Sequence, residues 1–150
     1  MTGGIRPILA SSCAKAATAE EASFRIDRPI GSRSAVILAL DDEAAEIVDR
    51  AAQKPWGAAR FFHLDDDVDL AAELEDADVA VMVATADADE EGAERIARIC
   101  FERGIMTAGL ILGERSEVAA AVSALRPYAR NLMVTSDEED VAAVLTALRA

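Results

Sequence analysis

From residue 34 onward, short solid runs of apolar residues alternate with longer stretches whose apolar positions recur every three or four residues. The solid runs are Ala35–Leu40, Ala59–Leu64, Val79–Thr85, Ile105–Leu112 and Asn131–Thr135. Val79–Thr85 and Ile105–Leu112 are apolar at nearly every position, the signature of strands covered on both faces. Between the runs, Glu43–Lys54 sets Ala44, Ile47, Val48 and Ala51 on one helical face. Val68–Leu74, Glu90–Arg103, Glu114–Ala124 and Asp137–Arg149 repeat the pattern, the last with Val141, Val144, Leu145 and Leu148 inward. Pro55-Trp56-Gly57 ends the first helix and Pro127 ends the fourth. Five strands alternating with five helices predict a three-layer, doubly wound α/β domain, Rossmann-like or flavodoxin-like, with a mainly parallel five-stranded sheet over residues 34–150.

Residues 1–33 lack that regularity. Gly3-Gly4, Pro7, a Ser/Ala-rich stretch and Pro29 read as an N-terminal arm or linker. Within it, Thr18–Glu21 has the form of a capping box, and Ser23–Ile30 alternates in the manner of an edge strand.

Charge narrows the partners. The net charge is −13. Residues 1–33 hold five basic and three acidic groups, so residues 34–150 carry −15. Such a body disfavours nucleic acid and anionic membranes, and suits cations, basic protein surfaces or plain solubility. No apolar run reaches the roughly 20 residues of a membrane span, and Ile5–Ala10 is too short for a signal-peptide core; a cytoplasmic protein is expected. Two cysteines, Cys13 and Cys100, far apart and in unlike contexts, give no disulfide framework and no metal motif. Cys100, at an apolar helical position, reads as a small core residue.

In this architecture ligands bind where the carboxyl ends of the strands meet the following helices. Every one of those loops is acidic: Asp41-Asp42-Glu43, Asp65-Asp66-Asp67, Asp87-Ala88-Asp89-Glu90-Glu91, Glu114, and Ser136-Asp137-Glu138-Glu139. Helix capping explains one carboxylate per loop, each contributing about 0.5–2 kcal/mol. The excess disfavours phosphate at the helix N-termini and permits an oxygen-ligated divalent cation such as Mg²⁺, with Asp41, Asp42, Asp87 and Asp89 as its ligand set, or a basic partner. The same edge would present His63, Asp65, Thr85 and Asp137 to a ligand or a partner. No glycine fingerprint, Walker loop or nucleophile elbow is present, and no catalytic residue stands out. His63, the single histidine, reads as a structural strand-end residue; Trp56 reads as a lid on the core.

Two partial resemblances follow from these residues. Ala77–Ala86 (ADVAVMVATA), then Ala93, Ile96, Ala97, Gly104, Thr107 and Gly109, resemble the strand, helix and strand around the glycine-rich loop of the FtsZ/tubulin family, and Leu125–Asp137 resembles its next strand. The likeness spans about residues 73–137. The family's glycine signature is replaced by Asp87-Ala88-Asp89-Glu90-Glu91-Gly92, so the resemblance implies an FtsZ-like scaffold without a functional GTP loop. Ala35–Glu43 also resembles the first strand and Mg²⁺-binding acidic pair of response-regulator receiver domains. Ala84-Thr85 stand where their phospho-acceptor Asp would be, and Thr135-Ser136 where their Lys would be, which implies at most a pseudo-receiver.

The reading that fits best is a non-catalytic α/β interaction or regulatory module that meets a protein partner or a second copy of itself, with no cofactor. The competing reading is a divalent-metal-dependent small-ligand enzyme or a pseudo-receiver using the acidic loop edge.

Overall fold

The structure is a computed structural model that describes residues 33–65 and 67–150. The N-terminal arm, with Thr18–Glu21 and Ser23–Ile30, and Asp66 of the second loop lie outside the described residues.

Among the described residues five strands and five helices alternate: β1 (Ala35–Ala39), α1 (Asp42–Ala52), β2 (Ala59–His63), α2 (Leu70–Glu73), β3 (Val79–Ala84), α3 (Glu90–Arg103), β4 (Met106–Leu112), α4 (Ala119–Leu125), β5 (Asn131–Thr135) and α5 (Glu139–Ala147). The strands form one sheet in the order β2-β1-β3-β4-β5, every pair parallel. This is the doubly wound α/β fold expected from the alternation. From β1, an interior strand, the chain winds outward to β2, then crosses back to β3 and proceeds to β5. The reversal puts the topological switch point between β1 and β3.

Alternation along the strands builds two cores. Val36, Leu38, Ala80, Met82 and Ile111 face α2, α3 and α4, meeting Leu70, Leu74, Ile96, Cys100 and Leu125. Ile37, Val79, Val81, Val83 and Leu110 face α1 and α5, meeting Ala44, Ile47, Val48, Val141 and Leu145. β1 and β3 are buried at every position, which is why their sequence shows solid apolar runs rather than alternation. The outer strands β2 and β5 are only partly covered.

Helix ends follow local chemistry. α3 begins with Asp89 accepting from the Gly92 amide and ends at Gly104, whose φ of 69° is left-handed. The Ile105 amide then bonds the Cys100 carbonyl at 2.8 Å, closing the helix as a Schellman turn. The fourth helix departs from expectation. It begins at Ala119 rather than Glu114, with Val118 as an N-cap that makes no side-chain hydrogen bond. Glu114–Val118 instead make an isolated turn, the Glu114 carbonyl taking the amides of Glu117 and Val118. α1 and α5 are clamped by Arg50, which meets both Glu138 oxygens, at 2.6 and 3.0 Å. That hydrogen bond holds the Glu138 carboxyl below its ordinary pKa. Among the described residues no helix is long and apolar enough to cross a membrane.

Cys100 lies fully buried on α3. Burial, partly offset by Arg103, pushes its thiol from the usual 9.0 up to about 11. The folded protein should therefore resist iodoacetamide at pH 8 at this residue and become reactive on unfolding. Because the folded thiol holds its proton at a higher pH than the unfolded one, its contribution to stability is complete below about pH 9. It is lost as pH rises from 9 through about 11. A Cys100→Ser variant with an unchanged alkaline unfolding curve would contradict this.

Candidate functional site

The carboxyl edge of the sheet is where this fold class offers a crevice, at the switch point between β1 and β3. In this protein two of the chain's own side chains meet across that point. Asp41, the residue two beyond β1, has an extended backbone and caps α1 by accepting from the Ala44 amide at 2.8 Å. The same oxygen, Oδ1, accepts from the Thr85 hydroxyl at 2.8 Å, while Oδ2 accepts from the Thr85 amide at 2.7 Å. One carboxylate thus satisfies an N-cap and both donors of the residue that follows β3. Thr85 is 2% exposed, a buried polar residue. Its donors need partners there, and the Asp41 carboxylate supplies an acceptor for each.

Backbone bonds complete the closure. The Leu40 amide donates to Val83, the Leu64 amide to Ala39, and the Asp89 amide to Leu40, at 2.9, 3.0 and 3.3 Å. The β3–α3 loop therefore folds across the end of β1. Gly92, in the first turn of α3, serves the same closure. A Cβ there would lie 2.0 Å from Leu64 Cδ2 and 2.6 Å from Asp89 Oδ2. A side chain at this position would make Leu64 and Asp89 shift; the glycine lets the helix start sit close against the β2–α2 loop. The start of α3 is thus filled by Leu64 and by its own Asp89 cap.

The remaining loop carboxylates divide between caps and solvent. Asp69 caps α2 through the Ala72 amide at 3.2 Å. Asp137 Oδ1 accepts from the Glu139 amide at 2.9 Å, and the Thr135 hydroxyl bonds both the Asp137 amide and Asp140. Asp65 accepts from the Asp67 amide at 3.0 Å in a local turn. Asp42 and Asp87 are exposed. His63, although adjacent in sequence to the second loop, turns instead to α1, where Nε2 lies 2.8 Å from Asp49 Oδ1 in an exposed pair. Of the eight residues singled out on this edge, the structure brings Asp41 and Thr85 into direct contact. Asp89 joins them through its backbone bond to Leu40; Asp42, Asp87, Asp65, His63 and Asp137 each make separate arrangements. Among the described residues no group of three or more His, Cys, Asp or Glu side chains stands close enough to hold a metal ion.

One groove of about 390 Å³ opens on the same edge beyond β4 and β5, lined by Gly113, Glu114, Arg115, Thr135 and Ser136; others lie away from it. One of about 480 Å³ sits at the amino end of β4, between Phe101 and Tyr128. Another of about 420 Å³ runs between α4 and β5, lined by Val122, Leu132 and Val134 with Arg115 and Arg126 beside them. The sequence pattern gave no prominence to Arg115 or Arg126, because the charge of −15 over residues 34–150 hides their local excess. The available signal was the composition of residues 115–135, which hold three arginines against one glutamate.

No family model matches this chain, and no curated protein does. Among solved structures, it is similar to the solution NMR structure of the de novo designed PLOOP2X3_50 fold protein, at 17% identity and a TM-score of 0.52, over 79% of this chain and 91% of that one. A likeness at that identity speaks for the α/β architecture alone.

Proposed function

We propose that this domain is a non-catalytic α/β interaction module built on an FtsZ-like scaffold, one that works through protein contact and not through a bound nucleotide. The observation that carries the reading is the Asp41–Thr85 clasp. It spans the switch point, commits three acceptor interactions of Asp41 to the chain's own donors, and leaves a carboxylate where a phosphate would otherwise approach a helix N-terminus. The replacement of the glycine signature by Asp87–Glu91 agrees with it. Scanning fluorimetry with GTP, ATP, NAD⁺ and FMN at millimolar concentration should leave the melting temperature unmoved, as should Mg²⁺ and Mn²⁺. A ligand present at 100 times its dissociation constant would stabilise by about 2.7 kcal/mol and be readily seen. A reproducible shift with any nucleotide would remove this reading. A shift with Mg²⁺ alone that is lost in Asp42→Asn or Asp87→Asn would favour the metal-dependent alternative.

A further inference from the structure

The two edges of the sheet are treated differently. At the β2 edge, Arg60 bonds both the carboxylate and the carbonyl of Glu73, and His63 meets Asp49. β5, the other edge, carries no proline and no charged side chain along Asn131–Thr135, the usual devices that keep an edge strand from pairing. Apolar space flanks it on both faces. The α4 side has the groove over Val122, Leu132 and Val134. The α5 side has a second groove of about 190 Å³, lined by Ala108, Met133, Val144 and Leu148. Met133 is 48% exposed there.

Charge selects the occupant. Arg115 and Arg126 border the α4-side groove, and among the described residues neither has an ion-pair partner, whereas Arg50, Arg60 and Arg98 each do. Arg115 lies in the turn after β4 and Arg126 follows α4, so they stand at opposite ends of the groove. Between them α4, seven residues at 1.5 Å each, spans roughly 10 Å. Two residues four apart in an extended chain are roughly 13 Å apart and point to the same face. Long arginine side chains bridge the difference.

We infer that β5 accepts an extended acidic–apolar peptide segment of a partner protein as a sixth strand, with carboxylates four residues apart on Arg115 and Arg126 and an apolar residue between them over Val122, Leu132 and Val134. The inference rests on the interaction-module reading and names the surface and the chemistry of its partner. Backbone pairing would supply affinity and the alternating side chains specificity, the mode used wherever a strand is added to a sheet edge. A second copy fits poorly. A two-fold axis normal to the sheet sets β5 antiparallel to its copy and brings the Arg115 end of one groove to the Arg126 end of the other, cation against cation. The chain's own Ser23–Ile30 carries Arg25 and Arg28 against Asp27, the wrong sign for this groove.

The test is fluorescence anisotropy with the full chain and a labelled peptide containing Glu-Leu-Val-Thr-Glu, beside a control with both glutamates replaced by lysine. Saturable binding is expected that weakens with salt, is lost in the lysine control, and falls about tenfold or more in the double variant Arg115→Glu, Arg126→Glu. Both arginines are exposed, so that variant should keep its melting temperature. No binding at millimolar peptide, or equal binding by the double variant, would overturn the proposal. So would a wild-type chain that sediments as a dimer and is not dissociated by the peptide, or binding that appears only after residues 1–32 are removed. A flat nucleotide screen with no peptide binding would leave the interaction module standing and remove this surface; a nucleotide-induced shift would remove the module itself.

Discussion

Leu38→Ala should cost about 3–5 kcal/mol of stability, read as a shift in the urea midpoint with an unchanged slope. Leu38 is the fourth of the five residues of β1, fully buried, with Phe62 of β2 and Met82 of β3 as its register partners. Strands hydrogen-bond on both sides, so the backbone of β1 is held and does not collapse into the space left by the side chain. The cavity term is then added nearly in full to the transfer term. On a total stability of about 5–15 kcal/mol the loss is a large fraction. Phe101→Ala is the fitting contrast. Phe101 is 88% exposed on α3 despite being the larger side chain, and its removal should stay within about 0.5 kcal/mol. A Leu38→Ala cost below about 1.5 kcal/mol would mean that the sheet relaxes into the cavity and that the two-core packing is looser than its burial indicates.

Those same solid runs made the fold legible from residues alone. β1 and β3 are buried at every position, so nothing but apolar side chains fits there. The boundaries of α3 and β5 follow from Glu90 after an Asp cap, from Gly104, and from Asn131 after the Pro127 break. The start of α4 was not legible. Glu114 and Glu117 look like a first turn, yet no side chain at Val118 caps the amides, and the turn and the helix separate. Strand order was not legible either, since a parallel sheet of short apolar strands carries no side-chain marker of which neighbour each strand takes. At the candidate site, capping was readable because it is local: Asp41 to Ala44 and Asp89 to Gly92 are contacts between residues three apart. The contact of Asp41 with Thr85 spans 44 positions and exists only because β1 and β3 are neighbours in the sheet. A sequence shows both residues, one acidic and one a strand-end threonine, and gives each a separate reading as an edge ligand. Topology turns them into partners.

That partnership sets the second large effect. Asp41→Ala removes an N-cap, worth about 0.5–2 kcal/mol, and leaves the Thr85 amide and hydroxyl without acceptors in a site where Thr85 is 2% exposed. Each orphaned donor costs about 1–3 kcal/mol. Asp41 itself is half-buried, so water entering beside the alanine recovers part of the loss, and the expected total is about 3 kcal/mol. Thr85→Val deletes only the hydroxyl, keeps the shape and the amide bond, and should cost about 1 kcal/mol. In the double variant the hydroxyl is no longer there to be orphaned, so the two costs should not add; the cycle should return a coupling of about 1 kcal/mol between the sites. Asp41→Asn separates the clasp from the cap. Asn caps a helix nearly as well as Asp, but its amide offers one acceptor oxygen where the carboxylate offers two. Retained stability in Asp41→Asn would show that capping alone accounts for the residue. A loss near that of alanine would show that the second oxygen is what closes the crevice between β1 and β3. The clasp variants also bear on function. If the closed crevice is a structural seam, nucleotides should fail to stabilise Asp41→Ala as they fail to stabilise the wild type. Rescue of the variant by a nucleotide would mean that the carboxylate covers a site the scaffold still retains.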